Sequence, residues 1–315
     1  NRMSRSFCIN GTMPTDPAQF EDILVHMDGL AIALGIGLAL GGVASTLPQH
    51  YKIIKSKSAA GLSPIWLLLG NINQFSAVVN AFILKYPQID ACSKLGFAKC
   101  APSLLAFFQL ASLWLFTFPI FMLYILFTPY DLRRIFLAGG DLKNARREYK
   151  AGKVFFLFLI LFLIAIPIAM AALLYRYGPC RHTTYIFGYG MGILSTVITF
   201  VQWSPQIYKT FRAKKVGTLS IAMMCIQCPG TILTIYFMVF VSHESVSTWL
   251  SYLSAALQMA VLLTLLFYYR HKNKKASAII NETGDNFSDD SQASFTNYLA
   301  ATEDSQPLLK RPEQS

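Results

Sequence analysis

Seven apolar segments alternate with short polar or basic connections along the 315-residue chain. Each segment approaches or exceeds the roughly 20 residues that cross the hydrocarbon core of a bilayer. Because an open strand would leave its amides unpaired in lipid, each segment is predicted to be helical. The pattern therefore predicts an all-α polytopic membrane protein. The seven predicted transmembrane helices are 29–49, 64–84, 101–127, 154–175, 185–206, 219–241 and 248–269.

The composition agrees with a membrane protein. Hydrophobic residues make up 54% of the chain and charged residues 14%, against roughly 25% charged residues in a typical soluble domain. This excludes a soluble enzyme, a secreted disulfide-rich protein and a disordered chain. The net charge of +11 is spread over short loops rather than one groove-binding face, so no nucleic-acid partner is predicted. The predicted partners are the lipid bilayer and a small-molecule solute.

The basic residues fall on alternate connections and predict an orientation. Connections 50–63, 128–153 and 207–218, with the first residues after the last span, hold 18 Lys and Arg; the other side holds 7. The positive-inside rule places the C-terminus in the cytosol and the N-terminus in a lumen or outside. Residues 1–28 contain no apolar core of a signal peptide, so the first span is expected to act as the insertion signal.

Two features of the predicted lumenal side agree with this orientation. Asn10 begins the glycosylation sequence Asn-Gly-Thr. Four cysteines, at positions 8, 92, 100 and 180, fall on the side where disulfides persist. Cys92 and Cys100 share one short loop and are the predicted disulfide pair. Free thiols throughout remain the alternative.

The chain contains an internal repeat at a constant offset of 157 residues, between 45–63 and 202–220. Each copy ends a predicted span and opens a basic connection. Repetition of eight positions in one short window indicates two related units. The matched pairs are Pro48 and Pro205, Gln49 and Gln206, Tyr51 and Tyr208, Lys52 and Lys209, Lys55 and Arg212, Lys57 and Lys214, Leu62 and Leu219, and Ser63 and Ser220.

The repeat predicts two parallel three-helix units joined by a linker helix, a 3+1+3 arrangement. The fourth span restores the orientation that three spans alone would invert. Parallel repeats of this kind suit carriers, because two similar halves can rock about a site between them. The predicted divisions are a lumenal arm 1–28, a first repeat 29–127, a basic cytosolic loop and linker helix 128–184, a second repeat 185–269 and a disordered cytosolic tail 270–315.

Pro48-Gln49 and Pro205-Gln206, each followed by a basic stretch and Leu-Ser, resemble the paired motifs of the PQ-loop repeat family. The resemblance covers about residues 29–270. Relatives in that family include lysosomal cystine and cationic amino-acid exporters, and the SWEET sugar facilitators and endoplasmic-reticulum retrieval receptors share the fold. The resemblance implies a 3+1+3 fold, in which Pro48, Gln49, Pro205 and Gln206 form hinges or gates. The alternative is that each proline simply terminates its helix.

The centre of the second span is unusually polar, and carboxamides in lipid point inward or line a cavity. Two interpretations stay open: hydrogen bonds to a sugar or amino acid, or hydrogen bonds between helices. Amides on other spans are further candidates. The predicted substrate-binding residues are Asn71, Asn73, Gln74, Asn80, Gln109, Gln227 and Gln258.

No Asp, Glu, Lys or Arg lies in the interior of a predicted span. Proton-coupled carriers usually place an ionisable group there, so a facilitator of a neutral or zwitterionic solute is favoured. No catalytic residue, cofactor or metal site is predicted, and the chain is not expected to be an enzyme. The Cys225–Cys228 spacing indicates packing rather than redox chemistry.

Small residues predict close helix packing at Gly37 and Gly41, and again at Gly188 and Gly192. The sequence Cys228-Pro229-Gly230 predicts a kink in the sixth span.

The tail from residue 271 is polar, rich in Ser, Asn and acidic residues, and is predicted to be disordered. Its sequence from Asp304 to Leu309, with Leu308 and Leu309 as the leucine pair, resembles an acidic dileucine signal. Such a signal docks two exposed leucines on a clathrin adaptor, which predicts sorting to a lysosome, vacuole or endosome.

These patterns predict a carrier for a small neutral or zwitterionic organic solute, with an amino acid favoured over a sugar. The alternative is a lumenal cargo or trafficking receptor of the same fold without net transport. The sequence sets no oligomeric state.

Overall fold

The computed structural model describes residues 29–137, 142–214, 217, 219–236 and 246–284. The regular secondary structure of these residues consists of α-helices. The eight helices are α1 (Gly29–Ser56), α2 (Pro64–Leu95), α3 (Phe97–Leu137), α4 (Leu142–Tyr177), α5 (His182–Val201), α6 (Ser204–Ala213), α7 (Ile221–Tyr236) and α8 (Val246–Gly284).

Six helical segments of the described chain are long and apolar enough to cross a membrane. The prediction of a polytopic helical membrane protein is confirmed for these six. The sixth predicted span corresponds to α7, which has 16 residues. The rest of that predicted span, residues 237–241, lies outside the described residues.

The two repeated prolines lie in different local structures. Pro48 sits inside α1, which continues unbroken to Ser56. The predicted fifth span is instead divided, because α5 ends at Val201 and Pro205 opens α6. A proline in the first helical turn removes no intrahelical hydrogen bond. Because α1 continues past Pro48 to Ser56, the interpretation that Pro48 terminates its helix is wrong.

Other boundaries also differ from the sequence predictions. The helix α7 continues through Pro229, and the kink expected there stays a prediction. The predicted loop 128–153 is largely helical, because α3 continues to Leu137 and α4 begins at Leu142. Charged residues mark where a helix leaves the hydrocarbon, and a helix can continue well beyond that level.

The backbone follows the 157-residue offset of the sequence repeat. The helix α1 ends at Ser56 and α6 ends at Ala213, while α2 begins at Pro64 and α7 begins at Ile221. The lysines that follow both helix ends take left-handed backbone angles, with φ of 46° at Lys57 and 52° at Lys214. The two segments therefore fold alike.

The helices pack in matching pairs. In the first half α3 contacts both α1 and α2, and in the second half α8 contacts both α5 and α7. Between the halves, α1 contacts α7 and α2 contacts α5. The helix α4 contacts α2, α3 and α5. We call the end where α1 and α6 finish and α2 and α7 begin the motif end, and the other end the far end.

The largest buried cluster includes the motif end. Leu62 and Leu219, one from each repeat, are fully buried there, and the rings of Trp66 and Trp203 lie 5.2 Å apart. At the far end a disulfide joins Cys92 to Cys100, and Cys180 is also disulfide-bonded. The predicted glycosylation site and sorting signal, at Asn10, Asp304, Leu308 and Leu309, lie outside the described residues.

Candidate functional site

A cavity of about 590 Å³ lies between the two halves. Residues of α1, α2, α3, α5, α7 and α8 line it, together with the turn between α5 and α6. Its described lining residues include no charged side chain. The polar ones are Ser45, Asn73, Gln74, Gln109, Ser195, Thr196, Thr199, Gln202, Gln227, Thr231, Thr234 and Tyr252.

Asn73 connects the polar wall of the cavity across the two halves. Its Oδ1 accepts a hydrogen bond from Ser195 Oγ at 2.5 Å. Its Nδ2 lies 3.0 Å from Thr199 Oγ1 and 2.5 Å from Gln202 Oε1, and donates to both oxygens. Four polar side chains from α2, α5 and the following turn thus fix one another's positions. A fixed polar wall can orient a solute by its donors and acceptors.

Three other predicted amides line the same cavity: Gln74, Gln109 and Gln227. The Oε1 atom of Gln74 is buried and has no hydrogen-bond partner among the described residues. Leaving a buried acceptor unpaired costs about 1–3 kcal/mol. An acceptor of this kind in a cavity wall is suited to a hydroxyl or an ammonium group.

The remaining predicted residues do not line the cavity. Asn71 is fully buried and donates to the Leu67 carbonyl at 2.8 Å. The Asn80 side chain lies against Gly192. Gln258 accepts from the Trp203 amide at 3.3 Å. It donates to the carbonyl of Thr199 in α5 and to that of Ser254 in its own helix, α8. Gln258 therefore makes the contacts between helices that the sequence analysis had left open as the alternative, whereas Asn71 bonds within its own helix.

The cavity also contains residues that sequence reasoning passed over. Ser195, Thr199 and Gln202 are spaced by four and three residues, so they share one face at the end of α5. Their spacing was a usable signal, but isolated hydroxyls are common in membrane helices. Trp203 and Ser45 close the cavity toward the motif end; their exposed fractions are 6% and 1%.

The two predicted glycine pairs have different roles. A Cβ on Gly188 would meet Ile83 at 2.8 Å, and one on Gly192 would meet Asn80 at 2.8 Å. Close packing is therefore confirmed for this pair. Gly37 and Gly41 line the cavity, and no atom of the described residues lies within 4 Å of a Cβ added to either. The interpretation of close packing is wrong for them.

At the motif end, the two repeats bind one another through their glutamines. Gln49 Oε1 accepts from the Ser220 amide at 2.6 Å. Gln206 Oε1 accepts from the Ser63 amide at 2.8 Å. Both glutamines are fully buried. Since the two bonds are related by the 157-residue offset, each repeat supplies the same contact to the other.

The repeated lysines make the same kind of crossed contact. Lys52 Nζ donates to the carbonyls of Leu219 at 2.8 Å and Gly217 at 3.0 Å. Lys209 Nζ donates to the Leu62 carbonyl at 2.7 Å. We call Gln49, Lys52, Gln206 and Lys209, with the Leu-Ser pairs that they bind, the crossed clamp.

The Leu-Ser pairs are helix starts. Ser63 Oγ accepts from the Trp66 amide at 3.4 Å, and Ser220 Oγ accepts from the Met223 amide at 3.2 Å. Both serines therefore cap the helix that follows them, with the side chain satisfying an otherwise unpaired amide. The crossed clamp binds these starts from the opposite repeat and joins the two halves at the motif end.

Charged side chains reinforce the crossed clamp from outside. Asp131, only 7% exposed, accepts from the Ala59 amide at 2.8 Å. Arg134 donates to the Ser56 carbonyl, and Glu148 forms an ion pair with Lys209. Sequence reasoning gave Asp131 no role within the predicted connection 128–153, because burial at the end of a helix leaves no local pattern.

The comparisons with known proteins agree with this geometry. A family model described as the PQ loop repeat matches residues 30–90 and 187–247. The chain is similar to an uncharacterized protein of Schizosaccharomyces pombe, 26% identical over 252 residues, which are 75% of this chain and 80% of the relative. No solved structure matches the chain significantly. Each matched region contains one copy of the repeated motif: Pro48-Gln49 in the first and Pro205-Gln206 in the second, each with the Leu-Ser pair that follows it.

Proposed function

The chain belongs to the PQ-loop repeat family, and from this premise we propose that it is a membrane carrier for a small neutral or zwitterionic organic solute. An amino acid is favoured and a sugar comes next. One observation carries the proposal: a cavity of about 590 Å³ between the halves, whose described lining is uncharged and combines apolar side chains with the polar wall around Asn73. This volume falls in the range of small-molecule sites.

The proposed arrangement is 3+1+3, with α1–α3 and α5–α8 as the two repeats and α4 as the linker. The matching helix contacts of the two halves support it. So does the absence of α4 from the described lining of the cavity. A solute between parallel repeats would sit on the pseudo-twofold axis, where carriers of this kind bind their substrates.

We propose alternating access as the mechanism. The cavity extends along α1 from Ser45 to Leu30, toward the far end, while the crossed clamp joins the halves at the motif end. Release of the crossed clamp would open the cavity to the other side. Pro48 and Pro205 are proposed as the hinges, since Pro48 weakens α1 beside Gln49 and Pro205 follows the break between α5 and α6.

The proposed solute-binding residues are Asn73, Gln74, Gln109 and Gln227. All four reach the cavity, and their carboxamides offer both donors and acceptors. Such groups can bind sugar hydroxyls or the ammonium and carboxylate groups of an amino acid. Without a charged partner in the described lining, they would select against a solute of net charge.

An endolysosomal or vacuolar membrane is the proposed location. The acidic dileucine-like sequence near Leu308 supports it, as does the excess of basic residues on the side of the C-terminus. In this orientation the motif end faces the cytosol and the far end, with its disulfides, faces the lumen.

The alternative is a lumenal cargo or trafficking receptor without net transport. The same cavity would then bind a ligand from the lumen, and the crossed clamp would report binding to the cytosolic side. The two functions differ in one measurable respect, because only the carrier produces flux.

Uptake into proteoliposomes tests the proposal, with labelled neutral amino acids and hexoses and with or without a pH gradient. Asn73→Leu should abolish flux, because it removes the residue that fixes the polar wall. Asn144→Leu, on the exposed end of α4, is the matched control and should retain flux. Saturable binding without flux by folded protein would favour the receptor. Uptake that depends on the gradient would contradict an uncoupled carrier.

A further inference from the structure

One face of α4 carries an unbroken stripe of exposed side chains. At the motif end the stripe contains Lys143, Arg147 and Lys150, and in the membrane it continues with apolar residues. The intervals alternate between four and three residues, so these side chains share one face of the helix. The apolar members are Val154, Leu157, Leu161, Ile164 and Ile168, with exposed fractions from 54% to 63%.

Two further basic residues flank the stripe. Arg146 and Lys153 lie next to it by helical spacing and are exposed. We call Arg146, Arg147, Lys150 and Lys153 the basic stripe. It stands directly in line with the side chains that face lipid, at the end of the membrane-spanning part of α4.

The opposite face of α4 packs against the bundle. Glu148 pairs with Lys209 of the crossed clamp, and Leu159 is fully buried. Gly152 lies so close to Tyr124 that an added Cβ would meet its ring at 2.8 Å. This packing fixes the rotation of the helix, so the basic stripe is turned away from the protein and toward the surrounding leaflet.

The acidic side chains described at the motif end do not neutralise the basic stripe. Asp131 is buried against the Ala59 amide, and Glu148 is directed to Lys209 on the opposite face. Arg133 and Arg134 add exposed positive charge at the end of α3. The positive-inside rule accounts for basic residues at this end in general, but not for their alignment with the lipid-facing side of one helix.

We propose that the basic stripe binds the headgroup phosphates of anionic phospholipids in the adjoining leaflet. Arginine and lysine are the side chains that bind phosphate, and arginine does so with two parallel hydrogen bonds. Acyl chains would lie along Val154, Leu157 and Leu161 while the headgroup lies at the level of Arg147. The proposal does not depend on what the cavity carries. It makes the bilayer a specific ligand of the linker helix, next to the crossed clamp.

The test compares phosphatidylserine with phosphatidylcholine. Protein in a neutral detergent is titrated with each lipid, and bound lipid is counted by native mass spectrometry. The variant R146Q/R147Q/K150Q removes three charges of the basic stripe. The control R212Q/K214Q/K272Q removes three exposed charges that lie in or directly after other helices at the same end, so the two variants have the same net charge.

Each basic residue near a membrane surface contributes about 1 kcal/mol to attraction of anionic lipid. The basic-stripe variant should therefore lose phosphatidylserine affinity by at least about tenfold, while the control stays within about twofold of the unsubstituted protein. Equal losses in both variants, or no loss in either, would overturn the proposal.

Two further measurements keep the proposal testable if the variant folds poorly. Phosphatidylserine binding to the unsubstituted protein should weaken as salt is raised, because exposed charges are screened. Glycerophosphoserine, which has the headgroup but no acyl chains, should compete weakly. Binding that resists salt, or that the soluble headgroup matches, would overturn a lipid site.

Discussion

The two Pro-Gln motifs make the same crossed contacts from different backbones. In the first, Pro48 lies inside α1 and the helix continues for two further turns. In the second, the helix is interrupted at Gln202 and Trp203, and Pro205 lies in the first turn of a separate helix. Yet Gln49 and Gln206 bind equivalent serine amides. The contact between repeats therefore depends on the glutamine and the capped serine, and not on whether the helix is continuous.

The supports around the two motifs differ as well. Gln258 accepts from the Trp203 amide at the break in the second half. Asp131 holds the connection after α1 in the first half by its bond to Ala59. At the 157-residue offset, Asp131 would correspond to a position in the tail, beyond the second repeat. The duplicated core of the clamp is symmetric, while its surroundings are specific to each half.

The largest effect is expected from removing both clamp glutamines. In Q49L/Q206L, two buried amides lose their acceptors, and each loss costs about 1–3 kcal/mol. The double variant should lower the free energy of unfolding by about 2–6 kcal/mol, measured by titration with denaturing detergent. Q227L, which removes an amide from the cavity wall, is the control. A double variant as stable as Q227L would break the equivalence of the two motifs.

Substituting the two prolines by alanine should change the free energy of unfolding by different amounts in the two motifs. An interior proline is about 3 kcal/mol less favourable than alanine in a helix, and a proline in the first turn has little cost. P48A should raise the free energy of unfolding by about 1–3 kcal/mol, while P205A should change it by less than about 1 kcal/mol. The stiffer P48A protein should also transport more slowly. Equal shifts in both variants would contradict the difference in backbone.

The glycines of α1 and α5 allow a comparison of how tightly these two helices pack. G188A should destabilise by about 1–3 kcal/mol, because its new methyl group meets Ile83. G37A should be neutral or slightly stabilising, since it faces open space and alanine favours a helix. Thermal unfolding of the two variants measures this. If G37A were the more damaging change, α1 would have to pack as tightly as α5.

The smallest effect concerns the ion pair between Lys209 of the second motif and Glu148, which has no equivalent at Lys52 among the described residues. Glu148 has 41% of its side chain exposed and Lys209 has 25%, so solvent screens their attraction. A double-mutant cycle with K209M and E148Q should give a coupling energy of about 0.5–1 kcal/mol. The same cycle with K52M in place of K209M should give none. Comparable coupling in both cycles would show that Glu148 acts on the whole motif end.

Sequence reasoning could predict much of this fold because its signals were local and repeated. The apolar lengths gave the spans, and the 157-residue offset paired Gln49 with Gln206 and Ser63 with Ser220. The family match confirms the resemblance read from those residues. That each glutamine binds the serine of the other repeat could not be predicted, because a constant offset does not distinguish contacts within repeats from contacts between them.

The cavity was predicted less completely. Asn73, Gln74, Gln109 and Gln227 reach it, but Asn71, Asn80 and Gln258 are not among its described lining residues. The amides were chosen by residue type, whereas position in the wall depends on the rotation of each helix. Gly37 and Gly41 show the same limit, since small residues permit close packing but equally leave room for a cavity.

Amide hydrogen exchange tests the crossed clamp most directly. In the intact protein the Ser63 and Ser220 amides should exchange slowly. The account predicts a crossed pattern: Q206L should speed exchange at Ser63, in the first repeat, and Q49L should speed exchange at Ser220, in the second. Faster exchange confined to the repeat that carries each substitution would contradict the account, because the glutamines would then act within their own halves.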